Sequence, residues 1–152
     1  MREVVRTNDA AHPVGPYSQA IKAGGFIFVA GQLALDPANQ QIIDGDARQQ
    51  TERALENLAA ILKAAGSSLD KVVRCGVFLK DLRDFEAMNE VYAKIFGAHP
   101  PVRTTVEVAR LPKDSLVEID AIAREIDQMG NSWTLVKRPG GLAVNSVPIS
   151  WD

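Results

Sequence analysis

Two charged residues stand inside runs otherwise suited to a core. Residues 100–123 read PPVRTTVEVARLPKDSLVEIDAIA, with Arg103 in the first run and Glu118 in the second. A guanidinium is a planar fork that binds a carboxylate through two parallel hydrogen bonds. A carboxylate is either its partner or, once buried, an acid–base group. Sulfur and imidazole chemistry is sparse, with one cysteine, Cys75, and two histidines, His12 and His99. These are too few for a zinc site of the Cys/His type within one chain, so no metal is expected. Cys75 lies in an alternating strand pattern and reads as a core residue. Both histidines read as loop residues.

The two runs flank Leu111-Pro112-Lys113-Asp114, which predicts a β-hairpin. Side chains alternate across a strand. Thr104, Val106 and Val108 therefore share one face of the first arm, and Arg103, Thr105 and Glu107 the other. On the second arm, Val117, Ile119, Ala121 and Ala123 oppose Leu116, Glu118 and Asp120. With the apolar sets turned toward helices, Arg103, Thr105 and Glu118 fall together on an uncovered face. An unpaired buried charge costs several kcal/mol. If another subunit covers that face, Arg103 needs a carboxylate. Glu118 or Glu107 in an interface salt bridge would serve, and so would a ligand. The pattern alone does not choose between these.

The elements that must position these residues follow from periodicity. Glu3 to Val5 reads as a short edge strand. Ser18–Lys22 and Phe26–Ala30 are strand-like and join at Gly24-Gly25, a pair suited to a tight turn. Asp36-Pro37-Ala38-Asn39 reads as another turn. Asp46 and Gln49 have capping-box spacing at the start of a helix. Its apolar stripe runs through Ala47, Thr51, Ala54, Leu55, Leu58, Ile61, Leu62 and Ala65, and Gly66 ends it. Lys71 to Leu79 reads as a strand. A second helix runs from about Asp84 to Phe96, burying Phe85, Met88, Tyr92 and Ile95. The order β-β-β-α-β-α-β-β predicts an α+β domain with a mixed sheet and both helices on one face. The strand–helix–strand connection around the first helix allows a parallel pair, and the hairpins are antiparallel. The other sheet face lacks a helical cover, which predicts self-association. Residues 127–152 contain both tryptophans and differ in character. Thr134–Lys137 and Leu142–Asn145 form either a further hairpin or an irregular tail.

The chain has 152 residues, 46% of them hydrophobic and 24% charged. This suits one domain with a substantial core. A net charge of −2 gives no basic excess of the kind nucleic-acid binding calls for. No apolar run approaches the ~18 residues of a membrane span. The N-terminal residues MREVVRTNDA lack an apolar signal segment, so the cytoplasm is the expected compartment.

Four motifs, in order over residues 1–126, resemble the RidA family, also called YjgF or L-PSP. They are GPYSQA (15–20), AGQLALDP (30–37), FLKDLRDFEAMNEVY (78–92), and PVRTTVEVARLP with LVEIDAIA. The resemblance implies a chorismate-mutase-like fold of the bacillary type: a mixed six-stranded sheet with two helices on one face. It implies a homotrimer with sites at subunit clefts. It also implies hydrolysis of 2-enamine or 2-imine acids, such as 2-iminopropanoate and 2-iminobutanoate, to 2-keto acids and ammonia. No cofactor is implied. Arg103 matches the arginine that grips the substrate carboxylate, Glu118 the acid that holds water, and Tyr17 a tyrosine lining the site. Gly31 and Asn89 match positions in or beside the pocket. Thr105 stands where many members have cysteine, so the site is expected to work without a thiol there. Ala30 stands where many have serine. RNA binding with endoribonuclease action, and ligand binding without turnover in a trimer, are the alternative functions. The tail after Ile126 lies beyond the resemblance.

Overall fold

Gly24 and Gly25 both adopt positive φ, 59° and 81°, and fold the chain back on itself. β2 (Ala20–Ala23) and β3 (Phe26–Gln32) pair antiparallel across this turn. β1 (Glu3–Val5) adds to β2 as an edge. The computed structural model describes residues 2–126, together with strand segments at 136–138 and 141–143. Two very short strands, β4 (Leu35–Asp36) and β5 (Gln41–Ile42), flank the turn at residues 36–39. At two residues each they are too short for period-2 patterning to reveal.

The first helix, α1 (Ala47–Ala64), starts with the expected capping box. Asp46 Oδ1 accepts from the Gln49 N–H at 3.1 Å, and Gln49 Oε1 accepts from the Asp46 N–H at 2.9 Å. Gly66, with φ 78°, follows its C-cap. β6 (Val72–Leu79) comes after a 3₁₀ turn. α2 (Phe85–Phe96) precedes β7 (Val102–Glu107), and β8 (Val117–Arg124) completes the main sheet.

The strand order is β1-β2-β3-β8-β6-β7. The expected hairpin between residues 102 and 124 is therefore absent. β6 lies between its two arms, parallel to β7 and antiparallel to β8. The adjacent parallel pair is β6 and β7, joined through the second helix, while β8 separates the strands that flank the first. β7 becomes an edge strand, and β8 enters the centre of the sheet. The sheet is mixed and six-stranded, as expected.

One face carries both helices. Ile27, Cys75, Val77, Val117, Ile119 and Ala123 lie fully buried beneath Leu55, Leu58, Ile61, Leu62 and Met88. Taking about 1.5–3 kcal/mol for each large apolar side chain removed from water, this layer dominates the fold's stability. The opposite face is apolar too. Cross-strand pairing places Val4, Ile21, Phe28, Ile122 and Val102 there, with Arg74 among them. Phe28 and Val106 remain 45% and 40% exposed. No helix among the described residues is long and apolar enough to cross a membrane.

In the tail, β9 (Val136–Arg138) and β10 (Gly141–Ala143) pair antiparallel. Thr134, Leu135, Val144, Asn145 and both tryptophans lie outside the described residues.

Candidate functional site

Arg103 does not share a face with Glu118. In register, Arg103 sits beside Cys75, and Cys75 beside Ala121, all on the helix side of the sheet. Glu118 pairs with Phe78, which pairs with Val106, on the open side. The expectation that Arg103, Thr105 and Glu118 lie together is thus corrected. Alternation assigned each strand's two sets properly. What failed was the premise that the valine set of β7 faces the helices. Both sheet faces are apolar, so composition gives no bearing on which is covered.

The same register excludes the intrachain salt bridge. Arg103 and Glu118 are two strands apart and displaced by three residues along β6. That places their Cα atoms roughly 14 Å apart, with side chains on opposite faces. Glu107 is committed elsewhere, its Oε1 accepting from the Leu82 N–H at 3.0 Å. Among the described residues no carboxylate forms an ion pair with Arg103.

Arg103 instead lies against α2. Its Cζ is 4.7 Å from the centroid of the Tyr92 ring and 5.6 Å from that of Phe85. Its Nη1 is 3.9 Å from the Met88 sulfur. Thr105, two residues along β7 on the same face, has a buried Oγ1 with no hydrogen-bond partner. Asn89 is half-buried on α2, four residues from Phe85 and three from Tyr92, so it shares their face. This cluster presents an unneutralised cation and an unspent hydroxyl.

Glu118 faces a hollow on the open side. A cavity of about 320 Å³ is lined by Tyr17, Gly31, Glu118, Ala30, His12 and Gln19, among others. A register shift between Val29 and Gln32 lets Ala30 and Gly31 bulge toward Glu118. A Cβ at Gly31 would overlap the Glu118 carboxylate and come 2.8 Å from its Cδ. Burial, and then the neighbouring Asp120 carboxylate, push the pKa of Glu118 above its ordinary value. Asp120 is itself fixed, accepting from the Gly76 N–H at 2.7 Å with Arg74 Nη1 at 3.7 Å. Tyr17 is half-exposed, and its hydroxyl accepts from the Val14 N–H at 3.2 Å.

Residue by residue, the six expected positions fall into two sets. Arg103, Thr105 and Asn89 gather at the α2 side of the β7 edge. Glu118, Gly31 and Tyr17 gather on the opposite face. Sequence reasoning missed Gln19, whose buried amide lies at the wall of the same cavity. Its Nε2 donates to Ala11 O at 2.8 Å and Thr7 O at 3.0 Å, and its Oε1 accepts from the Thr7 N–H at 2.8 Å. These bonds pin the 7–11 segment beside the loop that carries Tyr17. The only signal was a long polar residue at the mouth of a strand, which is weak.

The chain matches the family described as Endoribonuclease L-PSP over residues 7–125. It is 57% identical over 123 residues to a RutC family protein of Pyrococcus horikoshii, covering 81% of this chain and 98% of that one. The crystal structure of RidA from the Antarctic bacterium Psychrobacter is 41% identical with a TM-score of 0.78, covering 80% of this chain and 98% of that one. Escherichia coli TdcF, solved with bound serine, is 40% identical with a TM-score of 0.77 at the same coverage. Identity at this level over nearly the whole length of each relative, with the same fold, has one reading: the chain belongs to the RidA/YjgF/L-PSP family.

Proposed function

We propose that this protein is a hydrolytic deaminase of 2-imino acids, with a catalytic site built between copies of the chain. The observation that carries this reading is the unneutralised Arg103. A half-buried guanidinium that has no acid beside it among the described residues, next to a Thr105 hydroxyl without a partner among them, is prepared for an external carboxylate. TdcF holds serine, a small 2-amino acid, and its ligand belongs to the same chemical class.

The reaction needs little from the protein. A protonated imine carbon is already electrophilic. Arg103 fixes the carboxylate by two hydrogen bonds. Glu118, half-buried and of raised pKa, takes a proton from water as the oxygen attacks that carbon. The tetrahedral carbinolamine then collapses. Glu118 returns the proton to the amine, the C–N bond breaks to release ammonia while the hydroxyl gives its proton back to the Glu118 carboxylate, and a 2-keto acid remains; that proton then leaves with ammonia as ammonium. Holding both reactants in place accounts for much of the acceleration. Tyr17 shields the site with its ring. No side-chain nucleophile takes part, and no organic cofactor is required.

Within one chain Arg103 and Glu118 face opposite ways, so the substrate takes each from a different copy. The apolar open sheet face provides the surface for association, and a homotrimer is the assembly we propose. The compartment is the cytoplasm, and residues 127–152 form an extension outside the catalytic domain.

The test is ammonia release from 2-iminopropanoate generated in situ. Wild type accelerates it, and Arg103→Ala weakens substrate binding by about 100-fold, as expected for two charge-assisted hydrogen bonds. If the wild-type protein leaves the spontaneous rate unchanged, the reading fails. An RNA-cleavage arm in the same experiment addresses the activity in the family's description.

A further inference from the structure

The manner in which Arg103 is held carries a consequence for binding. Buried arginines are commonly fixed by a carboxylate, which orients the fork and also neutralises it. Here the fixing surface is uncharged. The guanidinium lies 4.7 Å from the Tyr92 ring centroid and 5.6 Å from that of Phe85, with Met88 Sδ at 3.9 Å. An aromatic face attracts the cation through its quadrupole without using an N–H donor, and among the described residues only Nη1 meets a protein acceptor, the weak Met88 sulfur. Tyr92 is itself held firmly. It is 4% exposed and packs against Phe96, ring centroids 4.5 Å apart and tilted by 44°. Its hydroxyl is buried toward the Cys75 thiol, away from the guanidinium, and it is the ring that meets Arg103.

We propose that Tyr92 is the positioning residue of Arg103, its ring fixing the guanidinium as a fully charged carboxylate receptor, with Phe85 as the second, more exposed wall. This rests on the reading of Arg103 as the carboxylate anchor. Tyr92 does not touch the substrate; it acts through Arg103. Its loss therefore weakens binding of the carboxylate without altering the steps at the imine carbon.

The experiment compares wild type, Tyr92→Leu, Tyr92→Phe, Phe85→Leu and Arg103→Ala. The readouts are kcat and KM for 2-iminopropanoate, and the Kd for pyruvate as a non-reacting carboxylate probe. Tyr92→Leu is expected to raise KM and the pyruvate Kd roughly 3- to 30-fold, the range for a cation that loses an aromatic face, with kcat little changed. Tyr92→Phe restores the ring and is expected to rescue both values. Phe85 is 37% exposed, so Phe85→Leu is tolerated by the fold and is expected to raise both by about 2- to 3-fold. A folded Tyr92→Leu that binds pyruvate like wild type overturns the proposal. So does a lowered kcat with unchanged KM, which marks a general structural role. If Tyr92→Leu does not fold, an unchanged pyruvate Kd in Phe85→Leu overturns it instead. Wild-type pyruvate affinity in Arg103→Ala would instead refute the anchor reading itself, which separates the two failures.

Discussion

Two inactive variants, mixed, should make an active protein. Arg103→Ala lacks the proposed carboxylate anchor, and Glu118→Gln lacks the proposed base. The β6 register separates these residues by roughly 14 Å and turns them to opposite faces, so no single chain brings both to one substrate. When equal amounts assemble at random, a site takes its arginine from an intact copy half the time, and its glutamate from an intact copy half the time. About a quarter of sites are then whole, whatever the number of subunits, provided each site joins two different copies. The assay is ammonia release after unfolding the mixture and refolding it together, with each variant refolded alone as the baseline. Native mass spectrometry of size-tagged variants establishes that subunits have exchanged. Recovery near a quarter of wild-type activity is expected. An exchanged but inactive mixture would mean that both groups come from the same chain, and the argument from register would be wrong.

Glu118 has a raised pKa, so the acid limb of kcat/KM should lie above the ordinary carboxylate range, and Asp120→Asn should move it to lower pH. A carboxyl of raised folded-state pKa favours folding while protonated and loses that contribution as pH rises through the folded value. Glu118→Gln should therefore have a higher Tm than wild type near neutral pH, the difference vanishing below the ordinary carboxylate range. Gly31→Ala should displace the Glu118 carboxylate and lower kcat by about 10- to 100-fold while pyruvate affinity is retained, since small misplacements are costly. Asn57, fully buried, donates to Leu33 O at 3.1 Å and Leu35 O at 2.8 Å. Asn57→Leu should cost about 1–3 kcal/mol for each carbonyl left unsatisfied, read by urea denaturation.

Much of the framework was legible because its signals are local. The Gly24-Gly25 turn, the Asp46 capping box and the stripes of both helices each involve residues within a few positions of one another. The β7–β8 pairing was misread for the opposite reason. Adjacent strands in a chain usually pair, and only long-range contacts show that β6 lies between these two. The identity of the site residues came from motifs, yet their division between two faces did not. Period-2 alternation tells which side chains share a face. It does not tell which face the helices cover when both are apolar, as Phe28, Val106 and Ile122 make the open one here.

The position of β8 has a consequence for how the chain acquires its structure. Strands β2 and β3 can assemble early through their Gly24-Gly25 turn, with β1 added from just upstream, and β6, α2 and β7 form a second nearby unit. Neither has a finished sheet. The strand that joins them, pairing with β3 on one side and β6 on the other, is the last of the six to leave the ribosome. Until residues 117–124 emerge, each half carries an open inner edge of unpaired N–H and carbonyl groups, the kind of template that recruits foreign strands. Cooperative folding must wait for that late, non-local insertion, which slows it relative to a hairpin-built sheet. During synthesis, chain stalled before Val117 is the species most exposed to aggregation.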